Sequence, residues 1–365
     1  MLRAPEPVVL LIADISGYTS YLAGTELDHA QDVLTDLIET VIGRLAPPFT
    51  LVAVEGDACF VFAPTPTMSG PQLLDTIDAC YFAFRRRLRD VSQATSCQCN
   101  ACILIPKLDL KFVVHAGQAV RQTVGGRENL AGSDVIAVHR LLKNHVVEQR
   151  GLRAYALLTK ESVEALGLDC PRLGMLPHTE EYDVGTVEGF VEDLGARWVA
   201  EELRAQHHLD DDSAWMRMDR DMAASPPVVW EWITSPRLRP RWQVGVIRVD
   251  QSNADGRAGV GTTNHCIHGK DAVIEEVLEW RPFESVTLMS TTQMGPMIST
   301  FDLAPTPAGT QVTLYVAGLK SEDSDAIWAV AKGIVAELFG GSLTNLQTQL
   351  ADAQVSPEPA APATA

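Results

Sequence analysis

Val8-Val9-Leu10-Leu11-Ile12-Ala13-Asp14-Ile15-Ser16-Gly17-Tyr18-Thr19 is an apolar run that ends in a carboxylate and passes into a small polar segment. Such a run predicts a buried strand with Asp14 at its end. A second stretch has the shape of a hairpin: Leu51–Val54 and Ala58–Phe62 are apolar, and Glu55-Gly56-Asp57 lies between them. A Gly-Asp tip that folds back beside the end of a buried strand brings two carboxylates together, the arrangement that holds Mg²⁺ on phosphate oxygens. The alternative is structural: Asp14 capping a turn and Asp57 occupying a hairpin tip, both common places for aspartate.

Around these two segments the front half alternates strands with helices. Thr25-Glu26-Leu27-Asp28 has the form of a capping box. Leu27, Ala30, Leu34, Leu37, Val41 and Leu45 then recur at helical steps until Pro47-Pro48 stops the helix. A second helix is expected from about Pro71 to Val91, with Leu74, Ile77, Tyr81, Phe84 and Leu88 on one side. Leu110 to Ala116 reads as a strand, Asp134 to His145 as a helix and Tyr155 to Leu158 as a strand. This β-α-β-β-α-β order predicts a ferredoxin-like α+β domain.

The chain has 365 residues, 46% of them hydrophobic and 21% charged, enough for more than one domain with a real core. Its net charge of −18 argues against nucleic acid or an anionic membrane as the main partner. No run approaches the ~18 apolar residues that a spanning helix needs, and the first apolar run is short and follows Pro5-Glu6-Pro7. The expectation is a cytoplasmic protein with no membrane span, whose seven cysteines are free thiols or metal ligands and not disulfides.

The segments Asp14-Ile15-Ser16-Gly17-Tyr18-Thr19 and Glu55-Gly56-Asp57-Ala58 together resemble the class III nucleotidyl cyclase catalytic domain. So do Phe112-Val113-Val114-His115-Ala116-Gly117 and Gly132-Ser133-Asp134-Val135-Ile136-Ala137-Val138-His139-Arg140-Leu141. The resemblance runs from about Val8 to Phe190. It implies that Asp14 and Asp57 hold Mg²⁺ or Mn²⁺ on the phosphates of a purine nucleotide. It also implies a head-to-tail homodimer in which these aspartates face Arg140 of the partner subunit, a candidate catalytic contact to the phosphates.

Other positions depart from the family pattern. The purine-selecting lysine is expected at Ala53, the transition-state asparagine at Ile136 and a second lysine at Glu188. An aliphatic side chain cannot orient ribose or donate to phosphate, and lost donors of that kind cost orders of magnitude in rate. Metal binding is therefore expected to be kept and cyclisation impaired. The chain more closely resembles an uncharacterised cyclase-related branch marked by His29, Glu55-Gly56-Asp57, a cysteine cluster and Val138-His139-Arg140-Leu141-Leu142-Lys143-Asn144, so the departures are expected to be a subfamily trait.

The cluster itself is Cys97, Cys99 and Cys102. Three thiolates can occupy one face of a tetrahedral Zn²⁺ site, with Cys80, Cys59, a histidine or a dimer mate as the fourth ligand; plain reduced thiols are the alternative. Arg85-Arg86-Arg87-Leu88-Arg89 reads as a solvated basic helix face before a docking site. His139 reads as a packed helix residue before a catalyst.

Gln206 to Asp212 is polar and acidic, a linker by composition. Domain 1–205 precedes it, domain 213–353 follows, and 354–365 is a Pro/Ala-rich tail expected to be disordered. The second domain shows a strand at Trp215–Ala223, a short helix from Pro226 to Thr234, then strand-like runs without helices at Val244–Val249, Thr262–Ile267, Ala272–Trp280, Val286–Met289, Met297–Leu303 and Gln311–Val316. A long amphipathic helix closes it, from Ser324 to about Leu350. His265 and His268 fall on opposite sides of their strand and are no metal pair. This order resembles the START-like (SRPBCC, polyketide cyclase/dehydrase-type) helix-grip fold.

The resemblance implies a cavity for a hydrophobic small molecule or lipid. Trp242, Met289, Met294, Met297, Phe301 and Phe339 are candidates to line it, and Gly340-Gly341 would let a ligand approach the helix. The same residues could simply fill a core. The chain is thus expected to pair a degenerate Mg²⁺–nucleotide-binding domain with an apolar-ligand domain that modulates it. The alternatives are a non-catalytic dimeric binding protein for a hydrophobic ligand, a weakly active nucleotidyl cyclase, or a polyketide cyclase/dehydratase-type enzyme, the last without an evident acid/base pair.

Overall fold

A computed structural model describes residues 4–23, 27–94, 103–124, 126–182, 185–204, 207–253, 256–269, 271–292, 295–318 and 324–355. The chain divides into two compact units, residues 1–200 and 201–365. The fold is α+β in both. The capping box at Thr25 and Glu26, Met294 and the tail from Ser356 lie outside the described residues.

In the first unit β1 (Glu6–Ser16) is followed by α1 (Tyr18–Ala23), α2 (Leu27–Leu45), β2 (Thr50–Glu55), β3 (Ala58–Pro64), α3 (Gly70–Ala94), β4 (Asp109–Val124) and β5 (Arg127–Ala131). Then come α4 (Ser133–Leu141), α5 (Val146–Arg150), β6 (Tyr155–Thr159), α6 (Lys160–Leu166), β7 (Leu176–Tyr182), β8 (Gly185–Asp193) and α7 (Leu194–Arg204). The sheet order is β2-β3-β1-β4-β6-β8-β7, and the first four strands have the ferredoxin-like order expected from the sequence.

Alternation along β1 builds both faces of this sheet. Val9, Leu11, Ala13 and Ile15 join Leu34, Leu37 and Val41 of α2 and Leu74, Ile77, Tyr81, Phe84 and Leu88 of α3 in one core. Val8, Leu10 and Ile12 join Phe60, Phe62, Val113, Val138 and Leu141 in another, which α4 covers. Asp14 continues that second, α4-covered face.

The helix expected from Asp134 to His145 stops earlier, at Leu141. Asn144 is the reason. Its amide donates to the Leu141 carbonyl at 2.7 Å, while its side-chain oxygen accepts from the Val146 amide and the Tyr155 hydroxyl. These bonds replace continuing helical ones. The strand expected from Leu110 to Ala116 runs on to Val124 and hairpins into β5, while β7 and β8 extend the sheet beyond the expected core.

In the second unit β9 (Met216–Met222) and α8 (Pro226–Thr234) precede β10 (Arg248–Ser252), β11 (Thr263–His268), β12 (Asp271–Arg281), β13 (Ser285–Thr292), β14 (Gly295–Thr306), β15 (Gly309–Gly318) and α9 (Ser324–Val355). The strands form one antiparallel sheet in the order β10-β11-β12-β13-β14-β15-β9. Leu343, Leu346 and Leu350 of α9 are buried, and Gln347 donates to the Asp221 carbonyl of β9 at 2.7 Å. A sheet curled about one long helix is the helix-grip arrangement.

The segment expected as a free linker is in part anchored. Leu209 is buried with Tyr315 and Ala317 against Trp215 and Ile298, on the sheet face opposite Val312, Leu314 and Val316. His208 lies between two carboxylates, 3.3 Å from both Glu279 and Asp302.

Candidate functional site

Asp14 is the last residue of β1 paired with β3, opposite Ala58, and on its other side it pairs with Lys111 of β4. Gly56 turns the β2–β3 hairpin with a φ of 67°, a left-handed conformation that costs glycine nothing. The turn brings Asp57 back onto β1, where its carbonyl accepts from the Ile15 amide at 3.2 Å. Asp57 thereby sits beside Asp14. Burial and the Asp14 charge push its carboxyl up to about 6, against its own backbone amide and Lys111, which favour the anion.

Lys111 was not among the residues picked out from the sequence. Its ammonium lies 2.9 Å from Asp14 Oδ2, the two side chains being 19% and 17% exposed. The sequence signal was a lysine between the apolar Leu110 and Phe112. The pair of carboxylates and a cation already drawn to them fit a hard divalent ion, which takes carboxylate oxygens and completes its shell with water and phosphate. Asp14 and Asp57 are the residues that would hold it.

The positions that depart from the cyclase pattern can also be placed. Ala53 pairs with Phe60. Ile136 is 58% exposed on α4. Glu188 is bound by the Lys160 ammonium at 2.9 Å, a cation supplied by a neighbouring helix and already engaged. Arg140 lines a groove of about 740 Å³ with Val135, Ile136, His139, Lys143, His145, Glu181 and Tyr182. His139 is a packed residue, as expected. Its ring stands edge-on to Phe60 with centroids 4.8 Å apart, Nδ1 meets the Val135 carbonyl at 2.8 Å, and Nε2 is 3.4 Å from Glu55.

Cys97, Cys99 and Cys102 lie outside the described residues. Cys59 and Cys80, offered as a fourth ligand, are buried free thiols, and burial pushes the Cys59 thiol up to about 12, away from the thiolate a metal needs. Among the described residues no three His, Cys, Asp or Glu side chains are grouped to hold a metal.

The five described candidates for an apolar pocket do not share one surface. Trp242 and Phe301 are buried and meet edge to face, with centroids 6.4 Å apart. Met297 lies on the Phe301 side of β14 by alternation. Met289 pairs with Ile298, one residue out of step with Met297, and so faces the other side of the sheet. The sequence alone could not fix this, because a one-residue difference in register reverses the face. Phe339 is half-buried on α9. Gly341 is closely approached by the Val244 side chain, which would stand 3.3 Å from an added Cβ.

The inner face also carries charge that sequence reasoning missed. Arg239 and Glu275 are buried and joined by two bonds, of 2.6 and 2.9 Å, and Arg239 also reaches Gln243 at 2.8 Å. Burial works to raise the Glu275 carboxyl, but the guanidinium overrides it and holds the group below its usual range.

Residues 214–351 match the model of the family described as polyketide cyclase / dehydrase and lipid transport. Residues 34–150 match the model of a family described as protein of unknown function (DUF2652). A 113-residue stretch is 37% identical to the uncharacterized protein Rv2561/Rv2562 of Mycobacterium tuberculosis, covering 31% of this chain and 52% of that protein, about half its length. Among solved structures, the adenylyl cyclase CyaB from P. aeruginosa is 15% identical, with 53% of this chain and 97% of that one covered and a TM-score of 0.39. Protein MLL2253 from Mesorhizobium loti is 21% identical, with 38% and 96% covered and a TM-score of 0.30. The chain joins a ferredoxin-like α+β unit to a helix-grip unit. No helix of the described residues is long and apolar enough to cross a membrane.

Proposed function

We propose that this protein binds a purine nucleotide with Mg²⁺ or Mn²⁺ in its first unit and a hydrophobic small molecule or lipid in its second, the apolar ligand modulating the nucleotide site. One observation carries the nucleotide half. The end of β1 and the Gly56 turn bring Asp14 and Asp57 side by side, with the Asp57 carboxyl raised to about 6 by burial and by its neighbour's charge. Two crowded carboxylates are relieved by a cation. A divalent ion would supply a second positive charge against which phosphate oxygens could settle.

What this chain's own residues do is bind and orient, more than react. Ala53 offers no purine donor and Ile136 no donor to phosphate or ribose. Glu188 adds negative charge, tied to Lys160, where the family pattern expects a lysine. Slow cyclisation or none is the consequence.

The apolar half rests on the family match over residues 214–351 and on the buried Trp242–Phe301 contact inside the helix-grip sheet. Cytoplasmic location and a homodimer that completes the nucleotide site with Arg140 of the partner subunit belong to the same proposal, as does zinc at Cys97, Cys99 and Cys102. Native mass spectrometry of the purified chain tests the dimer, the apolar ligand and the zinc together. A dimer retaining a lipid-like mass, with a zinc ion for each protomer, is the expected spectrum. A monomer would remove the shared site, and an apo mass after metal-replete purification would remove the zinc.

A further inference from the structure

The groove beside α4 contains a device that the nucleotide–metal reading does not use. Glu180 of β7 is buried, its side chain only 2% exposed, beneath the turn between α4 and α5. Its two oxygens accept three bonds: from the His145 amide at 2.6 Å, from His145 Nδ1 at 2.9 Å and from His178 Nε2 at 2.6 Å. His178 is itself buried, with Nε2 on Glu180 and Nδ1 without a partner among the described residues.

Burial works to raise the Glu180 carboxyl, yet the bonds from His145 and His178 hold it below its usual range; the bond to Glu180 raises the His145 imidazole in turn. With Nδ1 committed, Nε2 is the ring nitrogen left for a ligand. The His145 side chain is 60% exposed and lines the groove.

The rest of the lining combines apolar Val135 and Ile136 with polar and charged groups. Arg140 and Lys143 bring fixed positive charge on a chain whose net charge is −18. The Tyr182 hydroxyl is buried without a hydrogen-bond partner among the described residues, and burial pushes the phenol up to about 12, so it stays a donor. The one carboxylate, Glu181, accepts from the Thr186 hydroxyl at 3.0 Å. Two cations and a donor imidazole on this lining suit a ligand of acceptor oxygens carrying more than one negative charge. Its volume, about 740 Å³, is that of a small-molecule site.

We propose that this groove is a metal-independent site for a phosphoanhydride, in which the Glu180-held His145 and Lys143 grip phosphate oxygens within one protomer. The ligand is either inorganic pyrophosphate or the polyphosphate end of a nucleotide. The site does not depend on Asp14 or Asp57, so its failure and the failure of the metal site are separable.

Calorimetric titration of the full chain with pyrophosphate in excess EDTA tests it, alongside His145→Gln, Lys143→Met and Glu180→Gln. Wild type should bind, and His145→Gln and Lys143→Met should each weaken binding about tenfold or more, the effect of losing a charge-assisted bond. Histidine ¹⁵N spectra should show His145 Nε2 moving on addition of pyrophosphate while His178 stays. Glu180→Gln should weaken binding as His145→Gln does; if its buried change unfolds the chain, the two exposed variants decide. Tighter binding of ATP than of pyrophosphate in EDTA assigns the nucleotide, and equal binding assigns the phosphates alone. No binding to wild type, or binding that neither exposed variant weakens, overturns the proposal.

Discussion

Lys111 Nζ stands 2.9 Å from Asp14 Oδ2, on the neighbouring strand and in register with it. The ammonium lies where a divalent cation would be drawn, so it is both support and competitor for the site. Lys111→Met should raise Mn²⁺ affinity about tenfold, a modest fraction of the ~4 kcal/mol that two unit charges at 4 Å exchange near a protein surface. Electron paramagnetic resonance of free Mn²⁺ measures this. A fall in affinity would show the lysine to be part of the metal site's scaffold and not its rival.

Asp57 should reveal itself through pH. Its folded carboxyl, at about 6, is raised above the value of 3.8 for an unperturbed aspartate. The folded state thus holds the proton more tightly, and this group's contribution to stability falls as pH rises from about 4 to 6. Asp57→Asn removes the charge without changing the shape. It should raise Tm at pH 7.5, leave it nearly unchanged at pH 4, and abolish Mn²⁺ binding. An equal shift in Tm at both pH values would mean that the carboxylate is not under strain from its neighbour.

His208 has the opposite sign. Hydrogen bonds to Asp302 and Glu279 push its imidazole up to about 10 from the ordinary 6.5. Its stabilising contribution is complete below the unfolded value and is lost as pH rises through about 10. Thermal melts of wild type and His208→Gln should differ most near pH 6 and converge above pH 10. Curves that stay parallel over that range would mean the histidine does not anchor the segment by charge.

The buried Arg239–Glu275 pair predicts non-additivity. Glu275→Gln leaves a buried guanidinium without its counter-ion, and Arg239→Met leaves a buried carboxylate; either should cost about 3–5 kcal/mol. Replacing both with methionine should cost less than either alone. Urea denaturation gives all three values, and a double variant as unstable as the sum of the singles would show that the two groups act independently.

Much of the front unit was legible because its signals are local. The apolar run before Asp14, the Gly-Asp tip and the helical spacing of Leu34, Leu37 and Val41 each specify an element without help from the rest of the chain. What escaped was set by pairing across the sheet. Lys111 meets Asp14 only through the β1–β4 register. Glu180 and His145 are joined only when β7 is laid beneath the end of α4. Asn144, which ends that helix, looked like one more polar residue near a helix end.

In the second unit the same limit applies to single residues. The order of strands was readable from alternation and turn residues, and the observed strands fall within a few residues of the expected ones apart from β10. Which methionine faces inward was not readable: Met289 and Met297 are equally apolar, and only their pairing partners, Ile298 and Ser290, separate them. The polar segment before this domain looked like a linker because its charges dominate, yet Leu209 within it is buried.

The measurement that bears most directly on the central claim is a titration of wild type and Asp57→Ala with ATP and with GTP, each in the presence of Mn²⁺, followed by calorimetry and by assay for cyclic product. The account predicts metal-dependent binding of at least one nucleotide to wild type, loss of that metal dependence in Asp57→Ala, and little or no cyclic product. Absence of metal-dependent binding to wild type would contradict it, as would rapid cyclisation from a site that carries Ala53, Ile136 and Glu188.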